Sequence, residues 1–143
     1  MAKSRDPHAT WTTAQRFDRV RQAAQSATAE DYVEQIDDLI AEQGEARATD
    51  LAKHFGVSDG TVARTVQRLA RDGLVESEPY RSIFLTSRGK ALADKVRVRH
   101  QLVLDFLIAI GVGPEAAELD AEGIEHHVSP ETLQAFRTYL QKL

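Results

Sequence analysis

The chain has 143 residues, 42% of them hydrophobic, with 18 Lys/Arg against 22 Asp/Glu for a net charge of −4. That length accommodates one ordinary domain or two small ones sharing a core. No apolar run approaches the roughly 18 residues of a membrane helix, the polar start MAKSRDPHATWTTAQ does not read as a signal peptide, and the lack of Cys excludes disulfides, iron–sulfur clusters and thiolate metal sites, so a cytoplasmic protein with no membrane partner is expected.

Residues 1–28 are polar and read as an extension expected to be mobile, although TWTTAQRFDRVRQAA carries Phe17 and Val20. From Ala29, apolar residues at Tyr32, Val33, Ile36, Leu39 and Ile40 follow the spacing of an amphipathic helix that stops at Gly44. A second helix is expected in RATDLAKHFG, from Ala48 or Thr49 to Gly56. Ser58 is a natural N-cap for a third, which runs to Gly73. LVESEPYRSIFLTSRG reads as two short strands, at 74–76 and 83–85, with Pro79 and Arg81 in the turn. Thr86 caps a long helix to about Ile110, Pro114 opens another to about His127, and Ser129-Pro130-Glu131 starts the last.

Helix, tight turn, helix and two-stranded ribbon is the order of a winged helix-turn-helix. Ala52 is small where two helices would cross, Gly56 lies in the turn, and Val57, Val62, Val66 and Leu69 form the expected buried stripe. The net charge hides a segregation. Residues 45–100 hold 11 Lys/Arg and 7 Asp/Glu, whereas residues 101–143 hold 2 and 7. The basic segment suits a phosphate backbone. Ser58, Asp59, Gly60, Thr61, Arg64, Thr65 and Arg68 occupy the start and outer face of the reading helix. Arg64 is the best placed for a base edge, beside Asp59 and Thr61. Arg68, Arg71 and the wing residues Tyr80 and Arg81 suit phosphate. The bland alternative is a helical hairpin with a solvated basic face.

EGIEHHVS, residues 122–129, crowds two glutamates and two histidines into six residues. At about 100° per residue, Glu122, Glu125 and His126 share one helical face, and His127 points elsewhere. Asp31 and Glu34 stand at i and i+3 on the first helix, and His100 lies where the long helix turns from basic to apolar. Brought together, these six would supply four carboxylates and two imidazoles without sulfur, a set that suits Mn(II) or Fe(II). Each piece also has an ordinary role: helix-start acids complement the macrodipole, and a lone histidine often closes a core edge.

EDYVEQI, RHQLVLDFL and DAEGIEHHVS, in that order around a winged helix, resemble the manganese transport regulators of the diphtheria-toxin-repressor family, over about Glu30 to Leu143. The resemblance implies a mainly α chain: a winged helix-turn-helix DNA-binding domain over 29–95, then a helical metal-binding and dimerisation domain over 96–143. It implies a non-enzymatic, Mn(II)-dependent repressor of manganese uptake, acting as a homodimer on a palindromic double-stranded operator. By motif the ligands would be Asp31, Glu34, His100, Glu122, Glu125 and His126, holding up to two close ions bridged by carboxylates. Iron-responsive relatives carry sulfur at two of these places, so the sulfur-free set favours manganese. The chain is expected to lack the further C-terminal domain of larger relatives. The rivals are a winged-helix regulator answering to Fe(II) or an organic ligand, and a carboxylate-bridged di-metal enzyme. The enzyme lacks the paired Glu-x-x-His motifs of di-iron bundles.

Overall fold

Helix α1 spans Thr13–Gln43 and so starts well ahead of Ala29. The structure, a computed structural model, describes residues 10–78 and 81–143. The early start has a local cause. Thr12 Oγ1 accepts from the Gln15 N–H at 3.1 Å, and Gln15 Oε1 accepts from the Thr12 N–H at 2.9 Å, which is a capping box. Ala14, Ala23, Ala24, Ala27 and Ala29 then supply the strongest intrinsic helix preference. A cap and propensity thus carry a stretch whose Phe17 and Val20 remain exposed. The helix ends at Gly44, in the left-handed region at φ 84°.

Helix α2 (Ala48–Phe55), Gly56 at φ 65° and helix α3 (Asp59–Arg71) follow as expected. Ser58 Oγ accepts from the Thr61 N–H at 3.1 Å and closes the first turn of α3. The wing is shorter than expected. Strands β1 (Val75–Glu76) and β2 (Phe84–Leu85) pair antiparallel, Val75 with Leu85 and Glu76 with Phe84. Ile83 pairs instead with Ala46, its N–H donating to the Ala46 carbonyl at 2.8 Å. The wing base is thereby tied to the α1–α2 connection. Helix α4 spans Ser87–Ala109, α5 Pro114–Ile124 and α6 Pro130–Gln141. Helix α5 ends three residues before His127, because the chain turns toward Ser129, which precedes Pro130 and caps α6.

Two cores are strung along α4. The first gathers Val33 and Ile36 of α1, Leu51 of α2, Val62 and Leu69 of α3, Val75, Ile83 and, from α4, Ala93. Fully buried side chains such as Ile36, Leu51 and Leu69 each contribute about 1.5–3 kcal/mol. Val57, expected in this stripe, is instead 37% exposed, because it sits in the turn before the Ser58 cap. The second core joins Val103 of α4 to Ala121 and Leu133, with Phe106 stacked on Phe136 at 3.9 Å between ring centroids. The expected division at 95/96 therefore falls inside one continuous helix.

Arg97 fastens α1 to α4. Its guanidinium meets Asp37, lies 2.6 Å from Asp38 Oδ1, and reaches the Glu34 carbonyl at 3.4 Å. Lys90 adds a 3.0 Å ion pair to Asp37. These bonds hold the Asp37 carboxyl below its ordinary range, outweighing its partial burial.

Gly89, in the first turn of α4, lies against the wing. A Cβ there would fall 2.0 Å from the Leu74 carbonyl oxygen, a backbone atom with no freedom to swing aside. We expect Gly89→Ala to cost about 2–3 kcal/mol through forced backbone displacement, read as a lowered urea midpoint with an unchanged slope. Wild-type stability in that variant would show that the wing and α4 are not packed this closely.

Candidate functional site

The outer face of α3 carries the residues that the sequence nominates for DNA contact. Asp59, Gly60, Arg64 and Arg68 are exposed, while Thr61 and Thr65 are half-buried. Ser58 is committed to capping, and its hydroxyl also lies 3.0 Å from Thr61 Oγ1. Arg64 Nη2 donates to Thr61 Oγ1 at 3.3 Å, which directs the guanidinium toward the start of the helix. Gln67 and Ala63, absent from the sequence reading, are exposed on the same face. Their signal was present in the helical spacing, since Gln67 follows Arg64 by three. In the wing, Arg81 Nη1 pairs with Glu78 Oε2 at 3.0 Å. Tyr80 lies outside the described residues.

The second site forms where α1, α4 and the end of α5 meet. Two triads have ligand atoms mutually within 4.8 Å: Asp31, Glu125 and His126, and His100, Glu122 and Glu125. Glu125 belongs to both. Its Oε2 lies 2.7 Å from His100 Nδ1, and its Oε1 lies 3.3 Å from His126 Nε2. The local backbone makes this possible. Glu125 follows the last residue of α5 yet keeps right-handed helical dihedrals, so Glu122, Glu125 and His126 still share a face. Glu34 joins neither triad but stands close enough to Glu122 to feel its charge. Burial first, and then Glu122, push the Glu34 carboxyl up. His127 is exposed and takes no part.

Burial sets the electrostatics. The Glu125 side chain is 1% exposed and that of His126 4%, whereas Glu122 at 61% and Asp31 at 44% reach solvent at the rim of the two triads. Burial is the main force pushing Glu125 up to about 7, against the pull of His100 and His126. His126 Nε2 lies 3.0 Å from Asp31 Oδ1, yet this buried nitrogen makes an aligned hydrogen bond to nothing, and neither does the buried Glu34 Oε2. Unsatisfied donor atoms that converge in a buried site fit a cation better than they fit one another. The donors are oxygen and nitrogen, which suits Mn(II) or Fe(II).

Sequence reasoning missed Glu118, Glu30 and Arg99. Glu118 Oε2 lies 3.2 Å from His100 Nε2. Buried Glu30 pairs with Arg99 and stands behind His126, its Oε1 3.7 Å from Nδ1. Glu118 was legible, since it precedes Glu122 by four on the same face of α5. The depth of Glu30 was not, because Glu30, Asp31 and Glu34 look alike as a run of acids.

The raised Glu125 has a pH consequence for metal-free protein. An unfolded glutamate titrates near 4.5 and the folded one near 7, so the folded state loses stability as pH rises across that interval. Glu125→Gln cannot ionise. Its stability relative to wild type, measured by urea unfolding in chelator, is expected to improve as pH rises from about 4.5 to above 7. A difference independent of pH would mean that Glu125 is not held as described.

Residues 25–83 match the family model "Iron dependent repressor, N-terminal DNA binding domain", and residues 86–143 match "Iron dependent repressor, metal binding and dimerisation domain". The transcriptional regulator MntR of Escherichia coli O6:H1 is 54% identical over 126 residues, covering 88% of this chain and 81% of the relative. The HTH-type transcriptional regulator MntR of Bacillus subtilis is 45% identical over 100 residues, 70% of each chain. A solved manganese-dependent transcriptional repressor, in complex with manganese, superposes with a TM-score of 0.70 at 29% identity. That match covers 79% of this chain and 52% of the solved one, so the present chain spans about half its length. Two family models laid end to end over the reading helix and the buried carboxylate–imidazole centre leave one conclusion: the chain belongs to the iron-dependent repressor family of DNA-binding transcriptional regulators, with a metal-binding and dimerisation domain.

Proposed function

We propose that the chain is a manganese-responsive repressor of manganese uptake that binds a palindromic operator as a homodimer. Asp31, Glu34, His100, Glu122, Glu125 and His126 would hold the metal, as up to two Mn(II) ions per chain. The observation that carries this reading is Glu125, a buried carboxylate with one oxygen toward each histidine. Similarity to regulators named MntR and to a solved manganese-dependent repressor supports manganese over iron.

When bound, the cation supplies the positive charge that lets these carboxylates crowd together. The rest follows from which elements carry the ligands. Asp31 and Glu34 lie on α1, whose Val33 and Ile36 belong to the core of the reading module. His100 lies on α4, and Glu122, Glu125 and His126 come from the end of α5. Drawing all six together fixes α1 against the dimerisation domain. In a two-fold dimer that fixes the spacing of two α3 helices, which must match half-sites about one helical turn of DNA apart. Without metal, repulsion among Asp31, Glu34, Glu122 and Glu125 favours looser arrangements. The response is a population shift, limited in size by the difference in metal affinity between the arrangements.

Two experiments test this. Glu122→Ala and His126→Ala should lose Mn(II)-dependent retention of genomic DNA fragments while keeping the wild-type circular dichroism spectrum. Mn(II)-dependent retention in both would refute the assignment. Arg64→Ala should cost about 1–3 kcal/mol on the selected sequence and relax its specificity. Arg68→Ala should weaken all DNA alike and reduce the salt slope by about 1. The opposite pattern would exchange their roles.

A further inference from the structure

Each imidazole of the metal centre has a carboxylate behind it. His100 turns Nδ1 toward Glu125 Oε2 at 2.7 Å and Glu122 Oε1 at 3.6 Å, and this leaves Nε2 against Glu118 Oε2 at 3.2 Å. His126 turns Nε2 toward Asp31 Oδ1 at 3.0 Å and Glu125 Oε1 at 3.3 Å, and this leaves Nδ1 without a hydrogen-bond partner, with Glu30 Oε1 the carboxylate behind it at 3.7 Å. Glu118 and Glu30 lie outside both triads. One imidazole ring cannot direct both nitrogens at the same cation. The nitrogen that binds must be unprotonated, so the other carries the proton and needs an acceptor. That acceptor sets the tautomer and fixes the ring.

We propose that Glu118 and Glu30 are positioning residues, which hold His100 through Nε2 and His126 through Nδ1 so that the opposite nitrogen of each ring faces Glu125. The inference rests on the manganese reading above and adds a division of labour. Glu118 serves the triad of His100, Glu122 and Glu125. Glu30 serves the triad of Asp31, Glu125 and His126. The two acids are held differently. Glu118 has a side chain 60% exposed on α5, so it can be removed without touching either core. Glu30 is buried, its side chain 8% exposed, and it is ion-paired with Arg99 from α4. Arg99 thus anchors Glu30 to the same helix that presents His100.

The test is a Mn(II) titration of the full chain, followed by the electron paramagnetic resonance signal of unbound Mn(II), with urea unfolding in chelator as a control. Glu118→Ala should weaken one binding step by about 10- to 100-fold and leave the other, with unfolding unchanged. Glu118→Gln keeps an oxygen that accepts from Nε2–H and should retain most of the affinity. For the buried acid, Glu30→Leu combined with Arg99→Met removes the ion pair without stranding a charge. That double variant should weaken the other step instead. If Glu118→Ala titrates like wild type while Glu122→Ala does not bind, the positioning role is overturned and the metal centre stands. If Glu118→Gln loses one whole ion, Glu118 is itself a ligand and the proposal is overturned. If Glu122→Ala titrates like wild type, the manganese reading falls and the positioning role falls with it.

Discussion

Glu125 is the point on which the molecule turns. A carboxylate whose side chain is 1% exposed is costly to ionise, and here it is flanked by two imidazoles on two different sides. Neither histidine alone would hold it in place. Together they leave a half-satisfied buried network, with orphaned atoms on His126 and Glu34. Such a network is a poor resting state and a good receptor for positive charge. On the proposed reading, the centre is a joint that a cation would complete rather than a pocket that admits one.

The joint matters because of how the two cores are arranged. Helix α4 passes through both, so the reading module and the second core cannot drift apart along it. The proposed response lies in the seating of α1 against α4 and the end of α5. Arg97 holds the middle of α1, through Asp37, Asp38 and the Glu34 carbonyl. Asp31 lies about a turn beyond Glu34 in the direction of the N-terminus, where it meets the carboxylate–imidazole cluster. On the proposed reading, Arg97 would be the fixed point and the carboxylate–imidazole cluster would set how α1 is seated. The tight approach of Gly89 to Leu74 fixes the wing to α4, and the Ile83–Ala46 pairing ties the same wing to the α1–α2 connection.

Much of this was legible in the sequence, for physical reasons. Ser58, Thr86 and Ser129 are caps whose hydroxyls accept from the first turn of the helix each precedes, and Gly44 and Gly56 take positive φ where helices must stop. The spacing of Glu122, Glu125 and His126 placed them on one face, although α5 ends at Ile124. Other features lay outside the reach of periodicity. The first turns of α1 are held by the Thr12–Gln15 box and by alanines, so a search for an apolar stripe passes over them. Val57 has the chemistry of a core residue but the position of a turn residue. Glu34 was grouped with the other ligands, yet it stands beside the triads because its distance to them depends on how α1 is seated on α4, which one sequence does not specify. Glu30 was hidden for the same reason.

The central claim is that closing the cluster around Glu125 fixes the distance between two reading helices. The chain has no Cys, so Gln67→Cys offers a single exposed labelling position on α3 in each protomer. Pulsed dipolar spectroscopy of the spin-labelled homodimer would then report that distance directly. We expect a broad distribution in chelator and a narrow one in Mn(II), with Glu125→Ala remaining broad in both. The same distribution with and without bound Mn(II) in the wild-type chain would contradict the account.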